Sequence, residues 1–282
     1  MKSDSPQAKK FFSLIKKIKS QYDLEAPVKI DPAIQLAISF LSWNATLAKA
    51  DTAYASLMEE LVDINELRVS LESEVMEIIG KSYPQVDERL TRMRESLNEV
   101  FKREHATAMS SIASKGKKEQ RAYLDTLPGM VPYVASQVAL LSFGAHAIPI
   151  DDKLNYLLTQ EGILDEGTPT TDVESALIRV VKAADAMDTH LALQAWSDEH
   201  RVTEKQIAAV ALPLAAERFE AVEPAVEETP VPKKTKAAAK KTSAKKAPAK
   251  KAAKKSTTKK TTTKKAATKK TTKKKTTKKK KS

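Results

Sequence analysis

The nonapeptide LPGMVPYVA, residues 127–135, decides how the chain is read. Pro128-Gly129 is a turn signal, with glycine free to take the positive φ that a tight turn needs. A helical pattern runs into it from Lys117 to Thr126, and another leaves it over residues 132–143. The stretch is therefore a helix–turn–helix whose turn and second N-terminus carry free backbone N–H groups, the usual furniture of an anion site. Two positions weaken that reading. Val131 lacks the conformational freedom and close backbone approach of glycine, and Pro132 removes one N–H. A plain connection between two packed helices satisfies the same residues.

Working outward, the rest of the first 219 residues is also helical in pattern. Residues 5–22 place Phe11, Phe12, Leu14, Ile15 and Ile18 at helical spacing with lysines opposite. Asp31-Pro32 reads as a helix start, and Pro32–Lys49 is apolar nearly all round, so it predicts one buried helix. Further helices are predicted at 51–62, 72–79 and 85–103. After the hairpin, Asp151 or Asp152 caps a helix through Gln160, Thr171 caps one to Ala184, and 187–199 and 203–219 complete the set. Alternating β-branched runs are almost absent. The predicted class is all-α.

The composition divides the chain sharply. Of 49 Lys+Arg, 24 are lysines between Lys233 and Ser282, where there is no arginine and no acid; residues 1–232 keep 25 basic residues against all 36 acidic ones. An acidic body thus precedes a polycationic tail. The reading is a body over 1–219, an acidic proline-containing linker over 220–232 (EAVEPAVEETPVP from Glu220), and a disordered lysine-rich tail over 233–282 that buries no core. Lysine pairs such as Lys240-Lys241, Lys245-Lys246, Lys250-Lys251, Lys254-Lys255 and Lys259-Lys260 recur among Ala, Thr and Ser. Without arginine or aromatics they supply point charges to phosphates, not base readout. There is no cysteine, which excludes disulfides, thiolate zinc sites and cysteine-held iron–sulfur clusters. The four histidines are scattered, with no pair at metal-ligand spacing, so no metal and no cofactor are expected. The charged first twenty residues do not read as a signal peptide, and no run is apolar enough for a membrane span, so a cytoplasmic, nucleoid-associated location is expected.

Residues 124–154, LDTLPGMVPYVASQVALLSFGAHAIPIDDKL, resemble the helix-hairpin-helix and following segment of the endonuclease III superfamily of DNA glycosylases. The corresponding parts are Leu127-Pro128-Gly129, Met130, Val131 in place of the family's second hairpin glycine, the helix to Leu141, Phe143-Gly144, the apolar run Ile148-Pro149-Ile150, and Asp151. Upstream, Leu41-Ser42-Trp43-Asn44-Ala45-Thr46 resembles the family's Leu-Ser-x-Gln-x-Thr segment. The resemblance implies a two-lobed body. One lobe would comprise about 33–144, the other the N-terminal helix plus 145–219. It also implies binding of double-stranded DNA and base release from a flipped nucleotide; the lysine tail makes that binding sequence-independent, and without cysteine the family's iron–sulfur cluster is not expected. Asp151 would be the catalytic carboxylate. Tyr133 stands where bifunctional members carry a lysine and would face the extruded nucleotide; a phenol forms no Schiff base, so lyase chemistry by that route is lost. Leu127, Gly129 and Val131 would contact phosphate, and Asn44 would help fill the space the base leaves.

Each assignment has a plainer counterpart. Asp151 also fits an N-cap, Tyr133 a helix aromatic packed between lobes, Asn44 a local hydrogen-bonding residue, and the hairpin a simple connection. The resulting expectation is a monofunctional DNA glycosylase of base excision repair, held on DNA by its tail. The alternatives are a catalytically inactive, histone-like DNA-binding protein on a degenerate scaffold, and a helical protein-interaction module.

Overall fold

A computed structural model describes residues 1–25 and 27–210, with the backbone alone at 209 and 210. Among these residues every regular element is helical: α1 (Pro6–Gln21), α2 (Pro32–Ser42), α3 (Leu47–Glu60), α4 (Ile64–Val69), α5 (Glu72–Ile79), α6 (Val86–Glu104), α7 (Ser110–Ala113), α8 (Lys117–Asp125), α9 (Pro132–Leu141), α10 (Asp152–Gln160), α11 (Thr170–Ile178), a 3-10 turn (Ala183–Asp185), α12 (Ala186–Glu199) and α13 (Glu204–Val210). No described helix is long and apolar enough to cross a membrane. The acidic linker and the tail lysines from Lys240 to Lys260 lie outside the described residues, as does the predicted helix beyond Val210.

Short polar side chains set the helix starts. Ser5 accepts from the Ala8 N–H ahead of Pro6, and Asp31 from the Ala33 N–H ahead of Pro32. Thr46 accepts from Lys49 N–H, and Asp63 from Asn65 and Glu66. Each such cap contributes ~1 kcal/mol.

The helices bury two separate cores. The first is built by α2 to α9, with Leu36, Phe40, Leu57, Leu97, Leu124 and Val134 excluded from water. The second joins α1 to the chain after α9, through Phe11, Ile18, Leu158, Val173, Leu177 and Leu193. These are the two lobes. Each fully buried side chain of this size contributes ~1.5–3 kcal/mol. Helix α9 is common to both: Val134, Ala135 and Val138 pack into the first core and Leu140 into the second. The hairpin helix is thus the spine of the body, buried along most of its length.

Two predicted boundaries move. The single helix over 32–49 is two, interrupted at Trp43–Thr46, where Asn44 adopts a left-handed φ of 53°. The helix predicted from a Thr171 cap starts at Thr170 after Pro169, has no side-chain cap, and stops at Ile178, well before Ala184. Helices α4 and α7 are too short to leave a periodic signal.

Candidate functional site

The hairpin turn is anchored on α6. Ser96 Oγ donates to the Pro128 carbonyl at 2.7 Å. Gly129 has φ +71°, and a Cβ there would meet the Arg92 carbonyl oxygen at 2.6 Å and Arg92 Cα at 2.8 Å. Glycine is required on two counts, conformation and close approach to a neighbouring helix. Leu127 and Val131 are buried in the first core, and Val131 is extended (φ −106°), so this backbone needs no glycine there. Met130 N–H closes the turn on the Leu127 carbonyl at 3.3 Å. The N–H groups of Gly129 and Val131 have no acceptor among the described residues.

Helix α9 carries Tyr133 in its first turn, into the seam between the cores. The phenol is buried and accepts from Gln137 Nε2 at 3.0 Å; its oxygen lies 3.3 Å from both Ser42 Oγ and Gln194 Oε1. Ser42 donates to Gln137 Oε1 at 3.0 Å. Burial, and next the charge of Asp151, hold the Tyr133 hydroxyl far above its ordinary pKa, so it stays protonated. Beside it, burial lowers the pKa of His190 to about 4, leaving a neutral ring 3.5 Å from Gln137 Nε2.

Asp151 caps α10. One carboxylate oxygen accepts from Leu154 N–H at 2.8 Å, the other from Asn44 N–H at 2.9 Å. The residue is 7% exposed. Burial raises its pKa to about 6, against the opposing pull of those two backbone donors. The Asn44 side chain is spent in the same seam. Its amide donates to Gln85 Oε1 at 3.2 Å and Asp152 Oδ2 at 3.1 Å, and its oxygen accepts from Lys153 N–H at 3.3 Å. Asn44 and Gln85 both have left-handed φ, near 50°, so two residues in a sparsely populated conformation meet through the Asn44 side chain. The Lys153 ammonium is buried, donates to the Ser197 carbonyl at 2.7 Å, and is lowered in pKa chiefly by burial. Asp198 completes the belt, accepting from Leu47 N–H at 2.9 Å and Gln194 Nε2 at 2.8 Å.

The fold therefore brings Asp151, Asn44 and Tyr133 to one seam, with the hairpin at the start of the helix that carries Tyr133. Asn44 is 4% exposed, so filling a gap in a duplex would require its present bonds to open. Sequence reasoning placed Ser42 only in a matching segment, with no role, and missed Gln85, Gln137, Gln194 and Asp198. The only signal was spacing: Tyr133–Gln137 and Gln194–Asp198 are i,i+4 pairs on one helix face. Among the described residues no group of three His, Asp or Glu is placed to hold a metal ion.

Similar architecture recurs in solved structures. A non-covalent endonuclease III–DNA complex matches with a TM-score of 0.55 and 17% identity, over 71% of this chain and 89% of that one. A thermostable thymine-DNA glycosylase matches at 0.51 and 18%, over 72% and 92%. The H. pylori 3-methyladenine DNA glycosylase bound to 1,N6-ethenoadenine matches at 0.50 and 13%, over 68% and 99%. The body has the endonuclease III fold. No family model matches the chain, and no curated protein matches its sequence. Within the endonuclease III fold, Asp151 caps α10 and holds the Asn44 N–H at the end of α2, and Tyr133 stands in the first turn of α9, next to the hairpin.

Proposed function

We propose that the chain is a monofunctional DNA glycosylase of base excision repair, with a body over 1–219, a linker over 220–232 and a lysine-rich tether over 233–282. The observation that carries this reading is the Asp151 carboxylate, held by two backbone donors in the seam between the cores, beside the helix that the hairpin starts. A carboxylate so fixed, with a pKa of about 6, is mostly ionised at neutral pH. It would stabilise the positive charge that develops on the sugar as the base leaves and help align the attacking water. Solved structures of similar fold include a thymine-DNA glycosylase, and an endonuclease III and an 8-oxoguanine glycosylase/lyase each bound to DNA. Gly129 and Val131 N–H groups are offered to phosphate, and the tail lysines, including Lys240 to Lys260, to sequence-independent contacts along the duplex in the nucleoid. Tyr133 supplies no amine, so no covalent adduct with the sugar forms at this position.

The test is base release from duplexes carrying a panel of damaged or mismatched bases, with alkali revealing abasic sites, for the full chain and its Asp151→Asn variant. Release by the first and not the second supports the proposal. A borohydride-trapped adduct within residues 1–232 would overturn the monofunctional assignment.

One observation favours a second reading, a non-enzymatic DNA-binding protein. Both Asp151 oxygens already accept backbone N–H bonds, and Tyr133 and Asn44 are buried and bonded. On this reading Asp151 is only a cap. No release from any duplex, with salt-sensitive DNA binding equal in both forms, would select it.

A further inference from the structure

Charge within the body is not spread evenly. Residues 1–21 hold six lysines and one acid, whereas residues 22–232 hold 19 basic residues and 35 acidic ones. Helix α1 is the positive island, with Lys9, Lys10, Lys16, Lys17 and Lys19 and no acid along its length. Its apolar face, Phe11, Ile15 and Ile18, is locked in the second core, which turns all five lysines outward. Lys10 donates to the Gly162 carbonyl and Lys19 pairs with Asp188, but Lys9, Lys16 and Lys17 have no ion pair or hydrogen bond among the described residues. Beside α1 lies an open cavity of about 560 Å³, with Lys16, Lys19 and Lys182 against one acid, Asp185, and with Phe12, 43% exposed, at its edge.

We propose that this ridge, running from Lys9 through Lys16 to Lys182, is a second phosphate-binding surface of the body, on the lobe opposite the one that holds the hairpin turn. Lys9 and Lys16 are seven residues apart, two helical turns, and so share one face about 10 Å apart; Lys16 and Lys182 share the cavity. Unpaired amines on a net-negative body gain most from a dense polyanion, whose condensed counterions they release. A bilayer fits the ridge poorly. An interfacial helix needs a free apolar face, and that of α1 is buried in the protein, leaving Phe12 alone outside. Sequence-independent contact with a nucleic-acid backbone is the match. The inference rests on the DNA-binding part of the proposed function.

The experiment measures duplex affinity of the full chain at several salt concentrations. It compares the wild type with Lys9→Gln/Lys16→Gln/Lys182→Gln and with a control, Lys29→Gln/Lys81→Gln/Lys205→Gln, drawn from exposed lysines elsewhere. All six sites are exposed, so thermal unfolding should be unchanged in both variants. The ridge variant should lower the slope of log affinity against log salt by about 2–3, from ~0.9 per neutralised phosphate, and the control by less than about 1. An equal slope in wild type and ridge variant overturns the inference while leaving duplex binding intact. Loss of binding to phosphatidylserine vesicles in the ridge variant, with the duplex slope unchanged, overturns it in favour of a membrane surface. A full chain that binds no duplex at all overturns it together with the proposed function.

Discussion

At the scale of single residues, Asp151 carries the most consequence. Its ordinary carboxylate pKa of 3.8 rises to about 6 in the fold because burial outweighs two backbone donors. Between those values the native state binds more protons than the unfolded chain, so this group's contribution to stability falls as pH rises from about 4 to about 6, by up to about 3 kcal/mol. Asp151→Asn removes the titration. Urea unfolding at pH 4 and pH 7 should therefore show the wild type losing stability relative to the variant as pH rises; a difference independent of pH would contradict the burial argument. Base release should follow the opposite course, climbing through pH 6 as the carboxylate ionises and then levelling. Gly129 gives a second residue-level prediction. Gly129→Ala combines the left-handed cost of ~1–2 kcal/mol with a collision against the α6 backbone, and should lower stability by more than ~2 kcal/mol. Gly144→Ala, with φ +61° and no atom nearer than 3.8 Å, should show the conformational cost alone. Chemical denaturation of the two variants side by side reads the difference.

At the scale of elements, the end of α2 shows what sequence pattern conceals. The apolar run from Pro32 to Lys49 predicts one helix because nothing in it is a breaker. What ends the helix at Ser42 is Arg89, 49 residues from Phe40. Its buried guanidinium donates to the carbonyls of Phe40 and Trp43, and its Nε to Pro84, while Tyr83 Oη donates to Leu41. These partners satisfy the carbonyls that a helix end leaves open and release the chain into the left-handed Asn44. Burial lowers the pKa of Arg89 to about 10, and it remains cationic between the Trp43 and Tyr83 rings. By contrast Asp31-Pro32 and the cap at Asp151 were legible because a cap is a local bond. Likewise the hairpin needed only Pro-Gly between two patterns. The partners of Tyr133 were not legible, since Ser42 and Gln194 reach it from helices 91 and 61 residues away. Arg89→Met should destabilise by ~3–5 kcal/mol, because two buried carbonyls and a half-buried one lose their donors. The turn it frees also aims Asn44 N–H at Asp151, so in conditions where the variant is folded its base release should fall as well. Unchanged release in folded Arg89→Met would show that Asn44 is placed without Arg89.

For the whole molecule, the governing fact is a net-negative stretch followed by a polycationic one: 25 basic residues against 36 acidic in residues 1–232, then 24 lysines in the tail. A net-negative body is repelled by duplex DNA at distances up to a Debye length, about 10 Å at 0.1 M salt. If the tail supplies the attraction, removing residues 233–282 should weaken duplex binding most at low salt, where counterion release is strongest. The salt dependence should flatten by ~0.9 for each phosphate that the tail neutralises. The chemistry should survive. Truncation leaves Asp151, Asn44 and Tyr133 in place, so single-turnover base release at saturating DNA should match the full chain, while kcat/KM at low DNA concentration drops with the affinity. A tether raises the local concentration of the body on its substrate without touching the transition state. Loss of release at saturation would instead place part of the active site in the tail. An unchanged salt slope would assign the attraction to the body, with the proposed α1 ridge and the hairpin as its sources.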